Sequence, residues 1–130
     1  MVVGAHALAV HGYVRATGDL DIWIRPDPEN AQRAWNALVR FGAPVEAMGL
    51  TVQDLASPGV VYQVGLPPRR IDVLTEISGI EFDAAWSSRV ANPVGELAVP
   101  FLGREALLQN KKASGRAKDL ADVEALECRA

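Results

Sequence analysis

The sequence predicts an α+β fold, in which helices flank a small mixed β-sheet and a pair of helices closes the chain. Residues 19–25 alternate polar and apolar side chains, which is the period of a strand with one face on a core. Residues 31–39 place apolar side chains at helical spacing. A short connection between the apolar stretches 60–66 and 69–75 fits an antiparallel hairpin.

The first third of the chain carries clear start and stop signals. Residues 2–3 predict a short buried strand, and residues 5–11 a helix of small side chains that Gly12 closes. Asp27 as N-cap and Pro28 at the first helical position start the amphipathic helix, and Gly42 ends it. Trp35 on the apolar face of this helix is expected in the core.

The rest of the chain predicts shorter elements. Pro100 cannot donate to a ladder, so the strand that contains it is expected at a sheet edge. The predicted elements are short helices at 51–55 and 80–89, a strand at 97–101, and two final helices at 103–112 and 116–126.

Length and composition predict one domain over residues 1–130, in a reducing compartment. A chain of 130 residues can bury about two-thirds of its unfolded surface. The single Cys128 permits no internal disulfide, and no signal peptide or membrane-length apolar run is evident, so the expected location is the cytoplasm. The net charge of −3 argues against an extended nucleic-acid footprint.

The most informative stretch is the strand that carries two aspartates. Alternation places Asp19 and Asp21 on one face, roughly 7 Å apart at their Cα atoms. Aspartate is disfavoured in strands, and neighbouring carboxylates repel each other unless a cation lies between them. A divalent metal ion is one explanation, and solvated polar surface at a sheet edge is the other. The core face is assigned to Leu20, Ile22 and Ile24, and the opposite face to Asp19, Asp21, Trp23 and Arg25.

A third acid, Asp72, lies in the middle of an otherwise apolar strand. A lone aspartate in that position costs stability unless it is paired or bound to metal. Arg69 or Arg70 could supply the pairing, so an ion pair and a metal site remain equally open for Asp72.

Basic residues concentrate at the corner between the last two helices, although the chain as a whole is acidic. A solvated helix end accounts for part of this concentration, because cations favour a helix C-terminus. A triphosphate site near the acidic strand is the other explanation. The cluster comprises Lys111, Lys112, Arg116 and Lys118.

In this order, these motifs resemble the nucleotidyltransferase superfamily, which has the DNA polymerase β-like fold. The segments on which this resemblance rests are Val3-Gly4-Ala5, Asp19-Leu20-Asp21-Ile22 and Ile71-Asp72-Val73. The resemblance is greatest to small bacterial members, some of them related to the toxin components of abortive-infection systems. It extends to Asn110-Lys111-Lys112-Ala113 and to the segment from Arg116 to Asp122, and so covers essentially the whole chain.

The resemblance implies Mg²⁺-dependent transfer of a nucleoside monophosphate from an NTP to a hydroxyl group. Asp19 and Asp21 would hold two Mg²⁺ ions, with Asp21 bridging them, and Asp72 would bind the catalytic ion and help to deprotonate the acceptor. Asp119 and Asp122 would either stabilise the last helix or serve catalysis. The residues implied in binding the nucleotide and its phosphates are Gly4, Ala5, Arg15, Thr17, Lys112, Arg116 and Lys118.

Two departures from the family pattern keep other functions open. Ala5 stands where relatives have a second Gly or a Ser, and the chain opens almost on the first strand, where relatives usually carry a helix. Either the start lies upstream or a partner subunit, in a homodimer or with another protein, covers that face. A non-catalytic nucleotide-binding or toxin–antitoxin-type module is therefore the alternative. A purely structural α/β domain leaves the three acids and the basic corner unexplained.

Overall fold

A computed structural model describes residues 1–128 of the chain, which contain six strands and six helices. The strands are β1 (Val2–Val3), β2 (Asp19–Trp23), β3 (Val61–Val64), β4 (Arg70–Leu74), β5 (Val90–Val94) and β6 (Leu97–Phe101). The helices are α1 (Gly4–Val10), α2 (Pro28–Phe41), α3 (Val52–Leu55), α4 (Phe82–Ser87), α5 (Arg104–Ser114) and α6 (Ala117–Glu127).

All the strands join one mixed sheet in the order β3-β4-β2-β1-β6-β5. β2 and β4 are parallel neighbours, as are β1 and β6, whereas the other pairs are antiparallel. The predicted α+β class is therefore confirmed. The register of β2 and β4 sets Asp21 opposite Asp72 and Asp19 opposite Arg70, so the three predicted acids lie at the centre of the sheet.

Helix α2 forms for the reasons that its sequence predicts. The Asp27 side chain accepts a hydrogen bond of 2.7 Å from the backbone N–H of Asn30, and Pro28 occupies the first turn. Gly42 ends the helix in the left-handed conformation, with φ of 94°. Ala31 is fully buried, whereas Trp35 is only half-buried at the margin of the core.

Two apolar clusters hold the layers together. One joins β1, Trp23 and Phe101 to helices α1, α5 and α6, and the other joins α2 and α3 to β3 and β4. The sequence assigned the core to the opposite face of β2, but Trp23, on the face that carries the acids, is also buried. Its side chain is only 2% exposed and packs edge-on against Phe82, so helix α4 covers this end of the strand.

The sequence did not predict β5, and this omission changes the position of β6. β5 pairs with β6 and forms the edge, so the prediction that β6 is an edge strand is wrong. The Leu102 N–H donates to Val2 O, and the backbone nitrogen of Pro100, two residues earlier, faces the same side. β1 pairs with β6 only at Phe101, so Pro100 removes no hydrogen bond there.

No helix in residues 1–128 combines the length and apolar character needed to cross a membrane.

Candidate metal and nucleotide site

The three predicted aspartates converge into one cluster at the centre of the sheet. Carboxylate oxygens of Asp19, Asp21 and Asp72 all lie within 4.8 Å of one another. Parallel pairing of β2 and β4 brings them together, because it aligns an acid of one strand with an acid of the next on the same face. Asp72 is buried, whereas Asp19 and Asp21 are half-buried and reach the adjoining cavity.

Arg70 neutralises part of this acidic cluster. Its Nη2 donates to Asp19 Oδ2 at 2.8 Å and to Asp72 Oδ2 at 3.2 Å, and its Nε donates to Asp72 Oδ1 at 2.8 Å. Of the two arginines considered as partners for Asp72, Arg70 is the one that pairs with it. Asp21 makes no ion pair within residues 1–128.

Asp19 and Asp21 differ in their electrostatic environment, and their pKa values shift in opposite directions. Burial raises the pKa of Asp21 to about 6, and the charges of Asp19 and Asp72 act in the same direction. Burial also opposes ionisation of Asp19, but hydrogen bonds from Thr17 and Arg70 outweigh it, so the pKa of Asp19 lies below its ordinary value. The carboxylate whose charge is least compensated is therefore Asp21.

Two small residues fix the positions of the acids. The Thr17 hydroxyl lies 2.9 Å from Asp19 Oδ1 and orients that carboxylate from the preceding loop. Gly4 has φ of 68°, and a Cβ atom there would lie 2.3 Å from Asp21 Oδ2. Gly4 is thus required both by its backbone conformation and by the close approach of Asp21.

The acids open into a cavity of about 1060 Å³. Strands β2 and β4 supply its acidic part, the start of α1 borders Asp21, and the last two helices supply its basic part. The predicted phosphate-binding residues that line it are Gly4, Ala5, Arg15, Thr17, Arg116 and Lys118. Lys112 is placed elsewhere, because its Nζ pairs with Glu127 at 2.9 Å on the outer side of the helical pair.

Part of the basic corner belongs to an ion-pair network around two buried aspartates, which sequence reasoning missed. Lys111, only 5% exposed, contacts Asp119 at 3.3 Å and Asp122 at 2.9 Å. Arg15 holds Asp122 with two hydrogen bonds of 3.0 Å, and Arg116 holds Asp119 with bonds of 2.6 and 3.2 Å. Asp119 and Asp122 are almost fully buried as partners of these cations, and Asp119 also lies in the first turn of α6 and lines the cavity.

The network keeps these two acids ionised. Burial raises the pKa of Asp119, but the hydrogen bond from Arg116 and the charge of Lys111 outweigh it and lower the pKa below the ordinary value. Hydrogen bonds from Arg15 and Lys111 do the same for Asp122. The same network holds Arg15 and Arg116 at the wall of the cavity, so both positive charges border it.

An aromatic wall bounds the other end of the cavity. Phe82 packs against Trp23 with ring centroids 5.0 Å apart and stacks on Trp86 at 5.8 Å. The sequence pattern places Phe82 and Trp86 on a short helix but does not show that this helix covers the acid-bearing strand.

The donor set fits a hard divalent cation. Three carboxylates within reach of one another supply the oxygen ligands that Mg²⁺ prefers, and the cavity leaves room for water or substrate oxygens to complete the coordination. Among residues 1–128 no cysteine or histidine joins the cluster, and sulfur or imidazole ligands are the ones that favour softer metals.

No known family model matches this chain, and a search of curated proteins finds no match either.

Proposed function

We propose that this chain is a Mg²⁺-dependent nucleotidyltransferase that moves a nucleoside monophosphate from an NTP to a hydroxyl group on a small molecule, an RNA or a protein. The observation that carries the proposal is the cluster of Asp19, Asp21 and Asp72 on two parallel strands, opening into a cavity that cationic side chains also line. Acidic ligands for metal and cationic contacts for phosphate are the two requirements of this chemistry.

Different residues would bind the metal ions, accept the proton and contact the phosphates. Asp19, Asp21 and Asp72 would hold two Mg²⁺ ions, which neutralise charge on the phosphoryl and leaving oxygens when bound. A carboxylate oxygen of Asp72 would accept the proton of the attacking hydroxyl. Lys118 lines the cavity and makes no ion pair within residues 1–128, so its ammonium group is available for a phosphate oxygen.

The positioned arginines would contribute differently from Lys118. Arg15 and Arg116 are each held by a buried aspartate, so their guanidinium groups are fixed before the nucleotide arrives. Preorganised cations stabilise developing charge without reorganising during the reaction. The arrangement is suited to holding the β- and γ-phosphates, which would leave as pyrophosphate when the α-phosphate is transferred to the hydroxyl group.

Calorimetric titration of the four NTPs, with and without Mg²⁺, tests the proposal. The wild-type protein is expected to bind at least one NTP only when Mg²⁺ is present, and Asp21→Ala is expected to lose that binding while staying folded. Glu124→Ala removes an exposed acid from the last helix and should leave the titration unchanged. Equal NTP binding by wild type and Asp21→Ala would show that the site is assigned wrongly.

One observation favours the alternative, a non-catalytic nucleotide-binding or toxin–antitoxin-type module that works through a protein partner. Arg70 already pairs with Asp19 and Asp72, so two of the three acids have a cationic partner without a metal ion. Release of pyrophosphate from the NTP that binds separates the two functions. Release that depends on Mg²⁺ and on Asp72 supports the enzyme, whereas binding without release over a panel of hydroxyl acceptors supports the module.

A further inference from the structure

Arg70 places a guanidinium group against two of the three carboxylates of the acidic cluster. Strand β4 presents it directly opposite Asp19 and two residues before Asp72, so its side chain lies between the two carboxylates. Three hydrogen bonds of 2.8 to 3.2 Å hold the guanidinium there. Its side chain is still 28% exposed, so the group borders the cavity and is not enclosed by the core.

We propose that Arg70 is a resident cation that makes the site reject free divalent metal and accept metal that arrives with a nucleotide. The inference rests on the proposed function and adds a selectivity to it. Arg70 thereby becomes a specificity-determining residue for the metal–nucleotide complex.

Competition for the same oxygen atoms is the first step of the argument. Asp19 Oδ2 and both carboxylate oxygens of Asp72 are engaged by Arg70, and Asp19 and Asp72 are two of the three residues that would ligate metal. A divalent ion bound among them would lie beside the guanidinium charge, in a partly desolvated site where like charges repel strongly. Free metal must therefore displace Arg70 without providing it with a new partner.

A metal–nucleotide complex changes this balance because it brings its own anion. Guanidinium groups bind phosphate in the same bidentate manner in which Arg70 now binds Asp72. Arg70 can exchange carboxylate for phosphate at the cavity wall while the metal takes the carboxylate oxygens. Metal and nucleotide are then expected to bind cooperatively, each with higher affinity in the presence of the other.

Equilibrium dialysis with Mn²⁺ as the probe tests this selectivity without requiring turnover. Total Mn²⁺ on the protein side is measured with and without a non-hydrolysable ATP analogue. Wild-type protein is expected to bind Mn²⁺ alone weakly and to bind it at least tenfold more tightly with the analogue. Arg70→Gln should bind Mn²⁺ alone at least tenfold more tightly than wild type, and the analogue should raise its affinity far less.

Two further variants make the comparison specific. Arg25 also pairs with two aspartates, Asp27 and Asp83, but outside the metal cluster, so Arg25→Gln removes the same charge and should leave Mn²⁺ binding unchanged. Arg70→Lys keeps the charge but cannot bridge two carboxylates in one plane, and about threefold tighter Mn²⁺ binding is expected. If Arg70→Gln does not fold, as judged by circular dichroism, the result for Arg70→Lys decides.

The outcomes separate this inference from the proposed function. Unchanged Mn²⁺ affinity in the Arg70 variants, with the Mn²⁺–analogue complex still bound by wild type, overturns the role of Arg70 and leaves the metal–nucleotide site standing. Absence of Mn²⁺ binding by every variant, with and without the analogue, overturns the metal site and the role of Arg70 together.

Discussion

Asp21 differs from its two neighbouring acids in having no cation paired with it. Asp19 and Asp72 share Arg70, whereas Asp21 is half-buried beside both of their carboxylates. Its pKa rises to about 6 for that reason, with burial as the largest cause. In the protein without metal, the ionised carboxylate of Asp21 therefore destabilises the folded state, whereas those of Asp19 and Asp72 are paired with Arg70.

Asp21→Asn should remove this destabilisation in metal-free buffer. The raised pKa of the folded state means that Asp21 adds stability below its ordinary pKa of 3.8, and this contribution is lost as the pH rises through about 6. At pH 8 the variant should be more stable than wild type by about 1 kcal/mol, after allowance for solvent screening. Urea unfolding in EDTA measures the difference from pH 4 to pH 8.

The pH dependence of this difference is the critical observation. Titration of acids distant from Asp21 is common to both proteins and cancels when their unfolding free energies are subtracted, whereas Asp19 and Asp72 interact with Asp21 and contribute to the difference. The difference should be smallest at pH 4, close to the ordinary pKa of Asp21, and reach its plateau above pH 7. A difference that is constant over this range would show that Asp21 does not titrate as the structure indicates.

At the scale of elements, helices α5 and α6 are joined by charges as well as by apolar contacts. Lys111 of α5 lies between Asp119 and Asp122 of α6, and all three side chains are buried. Arg15, from the loop before β2, ties the same helix to the acid-bearing strand. Charged groups thus fix the position of the helical pair relative to the site, and removing any one of them is expected to lower the free energy of unfolding.

Lys111→Met should destabilise the protein by about 3 kcal/mol, because it leaves two buried carboxylates with fewer cations. The adjacent Lys112→Met is the matched control: Lys112 and Glu127 form an exposed pair, whose loss should cost about 0.5 kcal/mol. Urea unfolding at pH 7 compares the two variants. Similar costs for both would mean that the buried network contributes no more than a surface ion pair.

The same two lysines show where prediction from sequence stops. Periodicity identifies the helices, and the run of basic residues marks the corner correctly. Only the packing of α5 against α6 decides that Lys111 points inward to two aspartates while Lys112 points outward to Glu127. Ion pairs between helices depend on their rotation and separation, which local spacing does not encode.

The acidic cluster was easier to predict than the network around it. Period-two alternation assigns Asp19 and Asp21 to one face of a strand, and an aspartate in an apolar strand is unusual enough to mark Asp72. Their meeting depends on β2 and β4 being parallel neighbours, a pairing that the sequence pattern did not predict and that the sheet register shows. Strand β5 was missed because Asn92 and Pro93 are typical of turns and not of strands.

At the scale of the whole molecule, the site joins distant parts of the chain. The cavity is lined by α1, β2, β4 and the helical pair, so residues from 3 to 119 meet there. A ligand that binds across these elements stabilises the entire folded state and not one loop. The stability of the molecule should therefore report on occupancy of the site.

Mg²⁺ with the NTP that binds should raise the melting temperature by about 10 °C at a ligand concentration about one hundred times its Kd. Binding to the folded state alone adds about 2.7 kcal/mol under that condition. Each kcal/mol corresponds to about 4 °C for a chain of this length. Differential scanning calorimetry measures the shift, with Asp21→Asn and NTP in EDTA as controls that should each shift by less than 2 °C. If Mg²⁺ alone gave the full shift, the metal would bind without nucleotide and Arg70 would not restrict it; if NTP in EDTA gave it, the three aspartates would not be the ligands through which the nucleotide is held.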